Sequence, residues 1–254
     1  MATEKIYQKY YAMHDEHVSK YGDKTVILMM VGSFYEIYAL PQGDGWIGPD
    51  LQRLEDILNI RITKKNKSKE LGPKNPNMMG VPCDSAIRHQ EKLLKADFTV
   101  VIVDQVGSSP NIERKIVAIL SPSTMVEGYE NRDTNYLLSM YLEIDITIAH
   151  KTIYTLGLSA VDVSTGKNYV HEVKSLPDEE ELWLDEVYRI VHSYTPTEIL
   201  VHADELSDDK FQSWCHRLQI DPKIVYRNFC QDREFHKISY QNQFYQKVYM
   251  DTGI

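Results

Sequence analysis

Along the first half of the chain the apolar positions change period several times, and each change marks an element. Between residues 4 and 21 they fall at Ile6, Tyr10, Met13 and Tyr21, roughly one face of a helix that Gly22-Asp23 ends. Two β-rich runs follow, "TVILMMV" and "FYEIYAL", joined at Gly32-Ser33. They predict either two strands or one strand bulged at the glycine. "PDLQRLEDIL" predicts a short amphipathic helix, with Pro49 suited to its first turn. "IRIT" reads as a strand, and "KKNKSKELGPKNPN" as a polar loop punctuated by Pro and Gly. Asp84 is placed to cap a helix over "SAIRHQEKLLKA", and "FTVVIVDQV" and "RKIVAIL" read as further strands.

The second half has a different rhythm. "SPSTMVEGYENRDT" is linker-like. Three β-rich runs come next, "NYLLSMYLEIDITIA", "TIYTLGLSAVDVS" and "NYVHEV", separated by His150-Lys151 and "STGK". The simplest arrangement is an antiparallel meander. A helix is expected over 178–193, then the strand "EILVH", then a helix over 207–218. Strands followed by alternating helix and strand place the chain in the α/β class. Two domains are expected, 1–125 and 126–254, with the boundary inside 122–134.

Composition narrows the setting. A length of 254 residues suits one or two domains, and a hydrophobic fraction of 43% supports a packed core. No apolar run reaches about 18 residues, so no membrane span is expected. The first residues, "MATEKIYQKYYAMHDEH", contain no apolar stretch of the secretory kind. Cys83, Cys215 and Cys230 are odd in number, widely spaced and outside any CxxC. That usage fits a reducing, intracellular location with neither a disulfide framework nor a zinc cage. The net charge of −9 argues at first against a polyanionic partner, but it is unevenly spread. Residues 1–126 carry 16 Lys+Arg and 15 Asp+Glu, whereas residues 127–254 carry 12 and 22. Five of the nine residues in "RITKKNKSK", Arg61 to Lys69, are basic. The first half could therefore meet a polyanion; the acidic second half is poorly suited to one.

The candidate chemistry sits at Phe34, Tyr35 and Glu36. Residues two apart on a strand share a face, so Phe34 and Glu36 are expected to project together while Tyr35 turns back into the fold. A projecting ring can wedge between base steps. Unstacking costs a few kcal/mol and base–aromatic stacking returns about 1–3 kcal/mol, so the balance favours places where pairing is already weak. An ionised Glu only accepts hydrogen bonds, for example from an imino N–H; bonding a purine N7 requires the protonated acid. The alternative is plain packing, with Phe34 partly buried on a strand and Glu36 facing solvent.

The wider pattern bears on that choice. "VGSFYEIYA" is followed in order by "LEDILNIRITKKN", "NPNMMGVPCDSA", "VVIVDQVG" and "ERKIVAILSPST". This series resembles the N-terminal part of the MutS family of DNA mismatch-repair proteins. That family has a Gly-x-Phe-Tyr-Glu turn, a Leu-x-Ile-x-Leu-Thr-Lys-Arg strand, a Pro-Met-x-Gly-x-Pro segment, a Glu-Gln-x-Gly strand end and a Glu-Arg-x-Val run closing on Thr-Pro-Gly-Thr. "LGLSAVDVSTGKNYVHEV" and "YTPTEILV" resemble the hairpin and the Asn-Pro-x-Glu-Leu-Leu segment of the family's connector domain, so the resemblance spans roughly residues 5–205. It implies a mixed-sheet mismatch-recognition domain followed by a ribonuclease-H-like α/β connector. Carried over by position, Phe34 is the stacking wedge and Glu36 the hydrogen-bonding partner of the mispaired base. The chain departs from the pattern at Ser33, where the family has Asp, at Ser123, where it has Gly, and at Cys83-Asp84.

The resemblance also implies contacts beside the wedge. Lys64 and Lys65 are expected near the DNA backbone, where phosphate contacts fix register and make affinity salt-dependent. A solvated surface loop is the other reading of that basic run. Met79 could flank the wedge, or it could simply fill the core. The implied partners are duplex DNA with mismatches or small loops, a second subunit in a homo-oligomer or heterodimer, and a downstream repair protein at the connector. ATP and Mg2+ are implied for a C-terminal ATPase domain, and no Gly-x-x-x-x-Gly-Lys-Ser/Thr run occurs in this sequence. The chain is accordingly expected to be a non-enzymatic N-terminal fragment. Two competitors stay open: a MutS relative that binds branched DNA or protein partners only, and a two-metal nuclease built around Asp162 and Asp145. A structural Asp162 bonding the "STG" turn is the simpler account of that residue. His14, His17 and Cys215-His216 have no further ligands at metal spacing.

Overall fold

A computed structural model describes residues 2–43, 45–107, 112–124, 134–146, 148–176, 179, 181–203, 206–221, 224–227, 234–235 and 237–250. Cys230, most of the linker-like stretch and residue 178 lie outside the described residues. The chain forms two compact units. The first comprises Met1–Leu137, Val161–Asn168 and Pro196–Glu198; the second comprises Leu138–Ala160, Tyr169–Thr195 and Ile199–Ile254. Both sheets sit in an α/β arrangement, as the sequence leads one to expect.

In the first unit α1 (Ala2–Tyr21) precedes the strands β1 (Thr25–Val31), β2 (Phe34–Gln42) and β3 (Gly45–Ile47). Then come α2 (Leu51–Leu58), β4 (Thr63–Lys64), β5 (Asn77–Pro82), α3 (Ala86–Lys95), β6 (Thr99–Val106) and β7 (Glu113–Leu120). The sheet runs β4-β5-β2-β1-β6-β7, with β3 paired to β2. β1 is parallel to β6 and antiparallel to β2, so the sheet is mixed. Five consecutive residues of β1, Thr25 to Met29, are buried, as a strand covered on both faces requires.

Helix α1 buries Tyr7, Tyr10, His14 and His17. This stripe is displaced from the expected Ile6 and Met13, because the aromatic rings of Tyr7 and Tyr10 pack edge-on against Tyr38 of β2 at 4.8 and 5.2 Å. Asp50 caps α2, accepting from the N–H groups of Gln52 at 3.0 Å and Arg53 at 3.2 Å. Gly48 is needed as glycine: its φ is +90° and a Cβ there would lie 2.6 Å from the Tyr38 carbonyl oxygen. Two expectations fail in detail. Asp84 does not cap α3; it lies inside a 3-10 turn, Cys83–Ser85, that leads directly into the helix. Of the expected strand over 60–63 only Thr63 pairs with a neighbour, and the pairing runs on into Lys64, because β5 meets this segment at just Met78 and Asn77.

The second unit carries most of β8 (Tyr136–Ile146), β9 (Thr152–Asp162), β10 (Asn168–Lys174), β11 (Glu198–Ala203) and β12 (Val225–Arg227). Their order is β10-β9-β8-β11-β12, with β11 parallel to β12. Helices α4 (Leu182–Tyr194) and α5 (Asp208–Leu218) pack through an edge-on contact of Trp183 and Trp214 at 4.7 Å. A last helix, α6, spans Ile238–Met250. No helix of the described residues is long and apolar enough to cross a membrane.

His14 gives the first unit a pH dependence. Its ring is buried, stacks on Tyr10 at 6.4 Å and makes no well-formed hydrogen bond among the described residues. Desolvation lowers its pKa below the ordinary histidine value, against weaker opposing pulls from the Thr25 backbone and Asp15. Between the lowered value and about 6.5 the unfolded chain binds more protons than the folded one, so stability rises with pH across that window and is lost below it. Thermal unfolding should therefore fall to lower temperature between about pH 7 and about pH 5, and His14→Leu should flatten that slope. Equal slopes in the two proteins would remove His14 from the explanation.

Candidate nucleic-acid interface

The β1–β2 hairpin has a two-residue loop, with Val31 opposite Phe34 and Gly32-Ser33 between them. Gly32 has φ +64°, which glycine adopts without steric cost at the first central position of a tight hairpin turn. Two hydrogen bonds pin the turn from either side. The Cys83 N–H donates to the Ser33 carbonyl at 3.0 Å, and the Gly32 N–H donates to Gln105 Oε1 at 3.2 Å. Tyr35 adds a third tie, its hydroxyl donating to Asp104 Oδ1 at 2.6 Å. Burial and that carboxylate together push the Tyr35 pKa well above the usual phenol value.

On this fixed turn Phe34 is 45% exposed. Its ring lies near Gly80 of β5, where a Cβ would sit 3.6 Å from Phe34 Cδ1. Ring and turn thus present a large aromatic surface to solvent at a position held by backbone bonds. Tyr35 turns inward, as alternation requires.

Glu36 does not project with Phe34. It is 6% exposed, since β2 passes within two residues from the tip of the hairpin to the layer beneath α1. Its carboxylate accepts from the Tyr38 hydroxyl through Oε2, and from Lys65 Nζ at 3.0 Å through Oε1 and 2.9 Å through Oε2. Burial first, and the Glu36 carboxylate second, push the Tyr38 pKa far above the normal range. Neither a solvent-facing Glu nor a free acceptor beside Phe34 describes this arrangement.

Lys65 and Lys64, expected as phosphate contacts, each bond within the unit. The Lys65 side chain remains 42% exposed while its ammonium closes on Glu36. Lys64 Nζ donates to the Lys69 carbonyl at 3.0 Å. The loop that carries them is ordered by Asn75, which is buried. Its Nδ2 donates to the carbonyls of Asn66, Lys69 and Glu70 at 2.9, 3.1 and 3.2 Å, and its Oδ1 accepts from the Asn66 N–H at 3.1 Å. Met79 is fully buried opposite Ile37, so it supports the sheet from within and offers no surface beside the wedge.

Sequence reasoning missed Asn75, Tyr38 and Gly80. Tyr38 was legible by alternation, two residues beyond Glu36 on the same face. Asn75 and Gly80 carry no local signal; their roles appear only once the loop and β5 fold beside β2.

The carboxylate at Asp162 is engaged throughout. Oδ1 accepts from the N–H groups of Asn135 and Ser164 at 3.1 Å each and from Ser164 Oγ at 2.6 Å, and Oδ2 accepts from Thr165 Oγ1 at 2.6 Å. The Ser164 and Thr165 hydroxyls hold its pKa well below the usual carboxylate range. This is the chemistry of a turn-stabilising aspartate. Asp145 sits at an exposed strand position. Among the described residues no group of three or more His, Cys, Asp or Glu is arranged to hold a metal. Nearby, Glu198 accepts from Ser121 Oγ at 2.6 Å and the Ser123 N–H at 2.8 Å, which gives the "SPST" segment a structural anchor.

Residues 6–129 match the family model of MutS domain I. A mutS homolog of Acanthamoeba polyphaga mimivirus, named for DNA mismatch repair, is 31% identical over 210 residues, covering 82% of this chain and 18% of that protein. The DNA mismatch repair protein MutS of Caldanaerobacter subterraneus subsp. tengcongensis is 27% identical over 198 residues, covering 76% and 20%. That of Thermodesulfovibrio yellowstonii is 28% identical over 194 residues, covering 74% and 19%. The chain thus spans about a fifth of the length of these relatives. Among solved structures, a family B DNA polymerase from Pyrobaculum calidifontis aligns at a TM-score of 0.25 and 11% identity over 77% of this chain and 32% of that one, too distant to bear on fold or function. With residues 6–129 matching domain I and relatives aligned along most of its length, the chain belongs to the MutS family, to whose N-terminal region it corresponds.

Proposed function

We propose that the first unit senses mispaired or looped-out bases in duplex DNA, with Phe34 as the stacking residue. The observation that carries this reading is the 45% exposure of Phe34 on a hairpin turn fixed by Cys83, Gln105 and Tyr35. A ring presented rigidly loses little conformational freedom when it stacks. Stacking offsets unstacking only where pairing is already weak, so the site discriminates by deformability without reading sequence. In this reading Ser33 and the loop bearing Lys64 and Lys65 meet the DNA backbone. The match to MutS domain I over 6–129 supports it.

The chain itself acts by binding. ATP and Mg2+ chemistry is assigned to other parts of MutS-family proteins, since no phosphate-loop motif occurs in this sequence. The second unit is read as the ribonuclease-H-like connector, on its strand order β10-β9-β8-β11-β12 and its acidic balance. It is assigned protein partners: a second subunit and a downstream repair protein. An intracellular location follows from the cysteine usage.

Two measurements test the reading. The first is a titration of the chain at low, fixed salt against a perfect duplex, a G·T mismatch and a one-base loop. Wild type should prefer the two defects, and Phe34→Ala should erase the preference with an affinity loss of about tenfold on the defects, corresponding to about 1–3 kcal/mol of stacking. Equal affinity for all three duplexes in both proteins would return Phe34 to a packing role and favour a relative that binds branched DNA or protein only. The second concerns the turn: Gly32→Val should weaken defect binding while leaving perfect-duplex binding within about twofold, because a β-branched residue at positive φ disturbs the hairpin tip. Unchanged defect binding would show that the tip geometry does not matter.

A further inference from the structure

Glu36 is occupied before any DNA arrives. An ionised carboxylate has about four acceptor positions, and the Tyr38 hydroxyl and the Lys65 ammonium take three of them. A base N–H could reach the remaining capacity only past Lys65, which is the sole partner of Glu36 among the described residues with a substantially exposed side chain. Tyr38 cannot make way, because its ring is locked between Tyr7 and Tyr10. Lys65 can. Its ammonium is a compact charge on a flexible four-carbon stem, and its backbone is held at the edge of the loop that Asn75 orders.

Resting on the mismatch-sensing reading, we infer that Lys65 is a specificity-determining residue that guards Glu36 in the free protein and releases it by exchanging the carboxylate for a DNA phosphate. A phosphate competes well for an ammonium, and the exchange keeps the lysine's charge paired throughout. Opening the pair costs free energy that the phosphate contact must offset. Glu36 therefore becomes available to a displaced base only when a DNA backbone lies alongside the loop. Free nucleosides and unbound bases meet a closed carboxylate.

The inference separates from a static ion pair by its non-additivity. The chain is compared as wild type, Lys65→Met, Glu36→Gln and Glu36→Gln/Lys65→Met, each against mismatched duplex over a series of salt concentrations. Lys65→Met should reduce the slope of log affinity against log salt by about 0.9, one phosphate contact. It should weaken binding at least about fivefold more in the Glu36→Gln background than in wild type, because only in wild type does loss of the lysine also remove a pair that must be opened. If Lys65→Met leaves Glu36 unpaired and the protein unfolded, the double variant, with no charge left at the site, still reports the slope against Glu36→Gln alone. An unchanged slope would mean that Lys65 never moves to a phosphate, and equal fold-losses in the two backgrounds would mean that no pair is opened; either overturns the exchange. Both outcomes differ from failure of mismatch sensing itself, which would appear as equal affinity of wild type for perfect and mismatched duplex.

Discussion

A carboxylate with almost no access to water cannot rest on an apolar sheet unless its charge is met. At Glu36 the Tyr38 hydroxyl and the Lys65 ammonium meet it, and much of the first unit is arranged around that requirement. Tyr38 must stand under α1, which brings Tyr7 and Tyr10 onto the same patch of sheet. Lys65 must return to β2 from a loop, and the loop holds its course because Asn75 bonds three of its carbonyls. Gly48 must lack a side chain for the chain to pass the Tyr38 carbonyl.

Two residues away the same strand leaves the core and turns back at Gly32-Ser33. The contrast between a closed Glu36 and an open Phe34 on one face of β2 is the structural feature on which the proposed function rests. The turn that carries the aromatic ring is held by the Cys83 N–H donating to the Ser33 carbonyl and the Gly32 N–H donating to Gln105 Oε1, while the carboxylate behind it is closed off by Tyr38 and Lys65. Stacking is tolerant of base identity and hydrogen bonding is not, so a ring that tests compliance and a carboxylate that becomes available afterwards would act in sequence.

Much of this was legible in the chain itself. The period-2 run of β2, the Gly-Ser turn and the continuous apolar β1 mark a mixed sheet, and the ordered motifs carry the family. Phe34 and Glu36 could be singled out, but alternation alone does not say how deep along a strand the core begins; that depends on where α1 crosses, which is a tertiary fact. The displacement of the α1 stripe to Tyr7 and His14 has the same origin. Lys65 was visible as one of five basic residues in nine, yet its attachment to Glu36, 29 positions away, needs the β4–β5 pairing to bring the loop home. Asp84 looked like a cap because the residue type was right; a 3-10 turn displaced the helix start.

The most direct test of the central claim places 2-aminopurine beside a single mismatch and follows its emission as the chain binds, in wild type and Phe34→Ala. Insertion of Phe34 at the defect requires an emission change confined to the mismatched duplex, absent from the perfect one and lost in the variant. The same emission change in both proteins, or none in either, would contradict a stacking role for Phe34.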